Sequence, residues 1–180
     1  MEKGYIHLYT GNGKGKTTAA LGITLRAAGN GFNVAVGQFI KSKNIQYSEI
    51  KALELINAAG APFGEIIVRQ FGRGCCIHGE ATQADYDGAR EGLEQIKEWI
   101  HSGKWDVVIL DEINVALHLK LLSTENIVDL LKNKPTTVEV ILTGRNAPQE
   151  LIDLADVVTE MKEIKHYYTK GVISRAGIDS

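Results

Sequence analysis

Glycine, lysine and threonine come together near the start of this chain in an arrangement suited to holding a polyanion. Tyr9 to Thr18 reads Tyr-Thr-Gly-Asn-Gly-Lys-Gly-Lys-Thr-Thr. Gly11, Gly13 and Gly15 let successive backbone N–H groups face one ligand, because no Cβ blocks the approach. Asn12 and Lys14 are interleaved with them, Lys16 adds a full positive charge, and the Thr17 hydroxyl, followed by Thr18, suits a magnesium ion. The common phosphate-loop pattern is Gly-x-x-x-x-Gly-Lys-Ser/Thr. Counting back from Gly15-Lys16-Thr17, its first glycine falls on Thr10, and here the glycine stands one place later, at Gly11. Either the loop is one residue tighter or Thr10 fills a glycine position. A glycine-rich turn without a ligand would account for the glycines, but not for Gly-Lys-Thr at the head of a helix.

Two more groups invite a chemical reading. Asp111-Glu112 follows the apolar run Val107-Val108-Ile109-Leu110. A carboxylate at the rim of a buried strand can hold Mg²⁺, directly or through water, opposite bound phosphates. Spacing does not say which carboxylate does so; Glu112 is preferred and Asp111 is second. Arg145 stands just past the next strand, after Thr143-Gly144. A guanidinium there could reach a terminal phosphate and stabilise charge on it. A solvated loop arginine would occupy the same position, and position alone does not separate the two.

These groups need a frame, and the pattern of the chain supplies one. Apolar, β-favouring runs are expected as strands at 5–9, 32–40, 65–71, 106–110, 136–142 and 157–161. Helices are expected between them at 17–28, 47–59, from Thr82 to near Gly103, at 114–121 and 123–132. Gly29-Asn30-Gly31 reads as a glycine C-cap, and Thr82 with Asp85 as a capping box. Ser123 reads as an N-cap, as does Asn146 before a short helix with Pro148 in its first turn. Strands alternating with helices predict an α/β fold, a mainly parallel sheet with helices on both faces, of the P-loop NTPase (RecA-like) kind. Ligands of such sheets bind at the carboxyl ends of the strands. The glycine loop, Asp111-Glu112, the loop Gly72–Gly79 and Thr143-Gly144-Arg145 all fall at that end.

Composition narrows the classes. With 180 residues and no repeat, low-complexity tract or linker, one domain spanning 1–180 is expected. A net charge of −2 gives no reason to expect bulk nucleic-acid binding. No apolar run is long enough to span a bilayer, and a strand so near the N-terminus leaves no room for a signal peptide. The two cysteines, Cys75 and Cys76, are adjacent and offer neither a disulfide framework nor a zinc site. A cytoplasmic setting is expected. Guanine-specific GTPases need Asn-Lys-x-Asp, and Asn133-Lys134-Pro135-Thr136 lacks the aspartate. No arginine-rich lid of a small-molecule kinase is visible. Among the scattered histidines, His166 stands out, between Lys165 and Tyr167-Tyr168.

With these residues in hand, the chain resembles the P-loop-type ATP:corrinoid adenosyltransferases, the family that makes adenosylcobalamin. The resemblance covers nearly the whole chain. It is carried by Tyr9 to Ala20, which looks like that family's own shifted phosphate loop. It is carried further by Leu110-Asp111-Glu112-Ile113-Asn114, Leu142-Thr143-Gly144-Arg145-Asn146-Ala147-Pro148, and Val158-Thr159-Glu160-Met161 through Lys165-His166. The resemblance implies that a Co(I) corrinoid (cobalamin, cobinamide or cobyrinic acid a,c-diamide) attacks the 5′ carbon of ATP and that triphosphate leaves. It implies that Gly11 to Thr18 cradle the triphosphate, with Lys16 among the catalytic residues. Thr17, Glu112 and Asp111 would lie near Mg²⁺, and Arg145 would neutralise the leaving group. A homodimer and a reduced flavoprotein as electron donor are implied with it. One departure concerns the loop after the third strand, where better-known members carry a phenylalanine and a tryptophan that help displace the corrinoid's lower ligand. Here Arg73, Cys75, Cys76, Ile77 and His78 occupy that corrinoid-side loop with neither aromatic, and Ile77 is the apolar side chain left to act as a wedge. Some members also cover the site with an N-terminal extension; here the tail from Lys165 to Ser180 is the segment expected to serve. The competing readings are a P-loop ATPase or kinase that cleaves at phosphorus, and an ATP-binding regulatory module without turnover.

Overall fold

The computed structural model describes residues 1–42, 44, 47–74 and 80–179. Cys75, Cys76, Ile77 and His78 lie outside the described residues. The strands are β1 (Ile6–Thr10), β2 (Val34–Ser42), β3 (Ile66–Gly72), β4 (Val107–Asp111), β5 (Glu139–Thr143) and β6 (Val157–Glu160). The helices are α1 (Lys16–Gly29), α2 (Ser48–Ala59), α3 (Gln83–His101), α4 (Ile113–His118), α5 (Thr124–Lys132) and α6 (Gln149–Leu154). Among the described residues the six strands form one sheet in the order β3-β2-β4-β5-β1-β6, and every pair is parallel. The expected α/β architecture is thereby present.

Alternation along the central strands assigns side chains to the two faces. Val108, Leu110, Val140 and Leu142 point into the larger core with Leu93, Ile96, Ile100, Ile113, Ile127 and Leu151, so α3, α4, α5 and α6 cover that face. Val34, Val36, Val107, Ile109 and Ile141 point the other way, against Ala20 and Ala27 of α1. Leu53 of α2 packs with Ala28 and Ile66 beside them. Because both faces are covered, β4 is buried at every position, and its unbroken apolar run follows from that.

Caps set the element ends. Helix α1 closes in a Schellman motif: Phe32 N–H reaches Ala27 O at 3.0 Å and Gly31 N–H reaches Ala28 O at 2.9 Å, with Gly31 at φ 82°. Thr82 and Asp85 form the expected capping box at α3, and the Ser123 hydroxyl accepts from Asn126 N–H at α5. Most expected bounds shift by one or two residues, β2 running Val34–Ser42 rather than 32–40, and three expectations change by more. Helix α4 stops at His118 rather than Leu121, because Lys120 takes φ 57° and lets Leu121 N–H return to Ala116 O at 2.9 Å. The cap is the same motif as at α1, with lysine in the usual glycine place. Strand β5 begins at Glu139 rather than Thr136, because Val138 N–H closes a turn on Pro135 O. Asn146 is not the cap of α6. Pro148 holds that position and its carbonyl accepts from Leu151 and Ile152, while Asn146 turns the chain at φ 58°, a conformation asparagine tolerates.

Candidate functional site

The strands' carboxyl ends carry the loops that follow β1, β4 and β5, and β5 lies between the other two. Thr10 ends β1 as an ordinary extended residue. The first positive φ of the loop falls at Gly11 (91°), and the next at Gly15 (115°). That is why the glycine stands one place late: the turn that needs it starts after the strand has finished. Gly11 and Gly13 serve a second need. A Cβ on Gly13 would sit 2.6 Å from Met161 O, and one on Gly11 2.5 Å from the same atom. The gap is closed because Gly13 N–H donates to Met161 O at 2.6 Å and Met161 N–H to Thr10 O at 2.8 Å. The loop is thus tied to the segment leaving β6.

Gly15 leads directly into α1. The first intrahelical bond runs from Ala19 N–H to Gly15 O at 2.8 Å, so the amides of Lys16, Thr17 and Thr18 precede it and point out of the helix end. Unpaired amides and the positive end of the helix dipole favour an anion there. Lys16 is buried and its ammonium donates to Gly11 O at 2.7 Å and Gly13 O at 2.8 Å. Burial lowers its pKa, opposed by the nearby Glu112 charge. Asn12, Lys14 and Thr18 are exposed.

Asp111 is the centre of a buried polar cluster. Its carboxylate is 1% exposed. Oδ1 accepts from the hydroxyls of Thr17 and Thr143, both at 2.8 Å, and Oδ2 accepts from the Gln38 amide at 3.1 Å. The Thr143 hydroxyl in turn accepts from Glu112 N–H at 2.9 Å. Glu112 follows at φ 61° and is partly buried. Burial raises its pKa, and the adjoining Asp111 charge adds to the effect, against Lys16, Lys41 and Arg145. The exposed Arg145 is near enough for its charge to be felt at both Lys16 and Glu112. Its loop is braced by Asn114 Nδ2, which donates to Gly144 O at 3.0 Å. Lys16, Thr17, Asp111, Glu112 and Arg145 therefore converge on one end of the sheet. Arg73 lies outside this cluster and reaches Thr82 Oγ1 at 3.2 Å.

Sequence reasoning passed over Gln38, and it left Thr143 as a loop residue only. The signal for Gln38 was a polar side chain inside the apolar run Val34 to Ile40. It also missed the partner of Lys14. The chain's end folds back so that the Lys14 ammonium meets Asp179, the Tyr167 hydroxyl at 3.2 Å and Ile178 O at 2.7 Å. Asp179 also meets Tyr167 and Arg175. Among the described residues no three His, Cys, Asp or Glu side chains come together as a metal cluster. No helix among them is long and apolar enough to cross a membrane.

The family model for the ATP:corrinoid adenosyltransferases BtuR/CobO/CobP matches residues 2–180. A corrinoid adenosyltransferase of a Sinorhizobium species is 37% identical over 188 residues, covering 99% of this chain and 81% of its own. That of Escherichia coli is 35% identical over 178 residues, covering 99% of this chain and 86% of its own. An uncharacterised protein of Nostoc is 41% identical over 170 residues, covering 91% of this chain, which spans only 45% of that longer protein. Among solved structures, the flagellar accessory protein FlaH of Methanocaldococcus jannaschii superposes with a TM-score of 0.58 at 14% identity, over 89% of this chain and 72% of that one. A KaiC-like protein of Pyrococcus horikoshii gives 0.58 at 19% identity, over 91% and 75%. These two likenesses are of fold.

Proposed function

The chain belongs to the ATP:corrinoid adenosyltransferase family, and from that premise we propose how its site works. It is an enzyme of cobalamin synthesis that adenosylates a corrinoid with ATP. In the proposed reaction a Co(I) corrinoid donates its electron pair to C5′ of ATP. The Co–C bond forms as the C5′–O bond breaks, and triphosphate leaves with the bonding pair. The protein has no proton to remove in this step. Its work is to place C5′ against the cobalt and to stabilise the departing polyanion. The cobalt's nucleophilicity belongs to the substrate.

The observation that carries this reading is the meeting of phosphate loop, α1 N-terminus and Asp111 cluster at the carboxyl end of the sheet, in a chain matched by the family over 2–180. Gly11, Asn12, Gly13, Lys14 and Gly15 wrap the triphosphate, with Lys16, Thr17 and Thr18 donating amides. Lys16 exchanges its two carbonyl partners for phosphate oxygens, and Arg145 adds the second charge. The residues present fit Mg²⁺. Thr17 gives its proton to Asp111, so its oxygen lone pairs remain for a cation. Thr17 with the Asp111–Glu112 pair would hold the ion, which takes oxygen ligands and would neutralise phosphate charge. With Oδ1 of Asp111 already accepting from two hydroxyls, we assign Asp111 the support of Thr17 and leave Glu112 the freer carboxylate.

One nucleotide-binding domain over residues 1–180, a homodimer, a cytoplasmic setting and a reduced flavoprotein donor belong to the same reading. So does a corrinoid site beside Arg73, Cys75, Cys76, Ile77 and His78. The test is an anaerobic assay with Mg-ATP and chemically reduced cobalamin or cobinamide. Light-sensitive adenosylcorrinoid with stoichiometric triphosphate is expected. ADP and phosphate without an alkylated corrinoid would move the protein to the ATPase or kinase class. Tight ATP binding with no product would make it a regulatory module.

A further inference from the structure

We propose that Gln38, its amide oriented by Gln70, is a positioning residue for Asp111 and, through it, for the Thr17 hydroxyl at the magnesium corner. The inference rests on the reading that this corner binds Mg²⁺ together with the nucleotide's phosphates.

Register places the residues. Gln38 pairs with Gln70 across β2–β3 and with Asp111 across β2–β4. All three side chains lie in one row on the α1 face, continuing the alternation of Val34 and Val36 on β2 and of Val107 and Ile109 on β4. Gln70 Nε2 donates to Gln38 Oε1 at 3.2 Å, and Gln38 Nε2 donates to Asp111 Oδ2 at 3.1 Å. The order of the chain matters. With its oxygen taken by Gln70, the Gln38 amide turns its N–H₂ to the carboxylate. Oδ2 is then pinned on one side while Oδ1 faces Thr17 and Thr143 on the other.

Burial argues that the row is kept for more than filling. Gln38 and Thr143 are fully buried and Asp111 is 1% exposed, each directly after an apolar stretch of its strand. A buried amide costs stability unless its bonds are made, and an apolar side chain of like size would avoid that cost. The donor's type is informative as well. A neutral amide orients a carboxylate without cancelling its charge, whereas a close cation would quench the negative field a metal ion needs. The nearby cation, Lys41, forms an ion pair with Asp111 Oδ2 at 3.9 Å, beyond hydrogen-bond distance, while it bonds Glu49 Oε1 at 2.8 Å and sits 4.5 Å over the Tyr47 ring.

The experiment is calorimetric binding of a non-hydrolysable ATP analogue to the whole chain, titrated with Mg²⁺ and repeated in chelator. Gln38→Ala is expected to raise the Mg²⁺ concentration at half-effect about tenfold, as suits a lost bond to a charged group, with metal-free affinity unchanged. Gln38→Glu, which replaces the donor by an acceptor against Asp111, is expected to be worse. Gln70→Ala is expected to shift the half-effect by a few-fold alone and by nothing further in the Gln38→Ala background. An unshifted Mg²⁺ half-effect in Gln38→Ala, with the wild type magnesium-dependent, overturns the inference alone. Should Gln38→Ala fail to fold, an unshifted Gln70→Ala overturns it equally, because Gln70 is only partly buried. A wild type whose analogue binding ignores Mg²⁺ overturns the metal reading and this inference together.

Discussion

At the scale of single residues, two charged groups are shifted from their ordinary chemistry. The Lys16 ammonium is spent on Gly11 O and Gly13 O. Those bonds tie the side chain across the loop from Gly11 to Gly13. Lys16→Ala is therefore expected to weaken ATP binding roughly 10–100-fold, from about 1.5–3 kcal/mol for hydrogen bonds of a charged group. Calorimetry would check it, and unchanged affinity would remove Lys16 from the site. Glu112 is the opposite case, a carboxyl whose pKa is raised, first by burial and then by Asp111. Being raised in the folded state, it favours folding fully below its unfolded value of about 4.3. That contribution is lost as pH climbs from there through the folded value. Glu112→Gln is expected to have a higher Tm than the wild type at neutral pH without nucleotide, the gap closing as the pH is lowered below about 4.3. A gap independent of pH would mean that Glu112 ionisation is not the cause.

At the scale of elements, the loop between β1 and α1 depends on a partner remote in sequence. Gly13→Ala puts a methyl 2.6 Å from Met161 O, the atom that its own N–H binds. It is expected to break the tie to the β6 segment and abolish ATP binding. Gly22→Ala, inside α1 with nothing within 4 Å of the added carbon, is expected to add about 0.5–1 kcal/mol of stability and leave ATP affinity alone. Urea titration and calorimetry on the pair separate loop geometry from general glycine loss. The chain's end is a second such partner, anchored where Asp179 meets Lys14. Lys14 and the Tyr167 hydroxyl, both bonded to Asp179, push its pKa well below the usual carboxylate range. Asp179→Asn is expected to speed amide exchange across residues 166–179. Exchange no faster than in the wild type would mean that the tail is held by something other than this contact.

At the scale of the whole molecule, the two faces of the sheet divide the labour. The α3–α6 face carries the larger core; the α1 face carries the phosphate loop and the polar row. Ile127→Ala, a fully buried side chain of α5 in that larger core, is expected to cost roughly 2–5 kcal/mol of stability without changing ATP affinity below the unfolding transition. A parallel loss of affinity would show the two faces to be coupled. Strand order matters for the same reason. With β5 between β1 and β4, Thr143 at its tip is the residue that can bridge Asp111 and the Glu112 backbone.

The sequence alone determined what is local and periodic. The glycine loop before a helix, the six apolar runs, the Gly31 cap and the Thr82 and Ser123 caps were all legible, because each is a matter of backbone conformation or of one helix turn. Tertiary structure decided whatever depends on contacts between strands far apart in the chain. It explained the late glycine, since the reason lies in where β1 ends and in how Met161 closes on Gly13. It stopped α4 at a lysine in a left-handed conformation, which carries no composition signal. It gathered Gln70, Gln38, Asp111 and Thr143 into one row, because register across four strands is set by the packing of both faces and by no stretch of sequence.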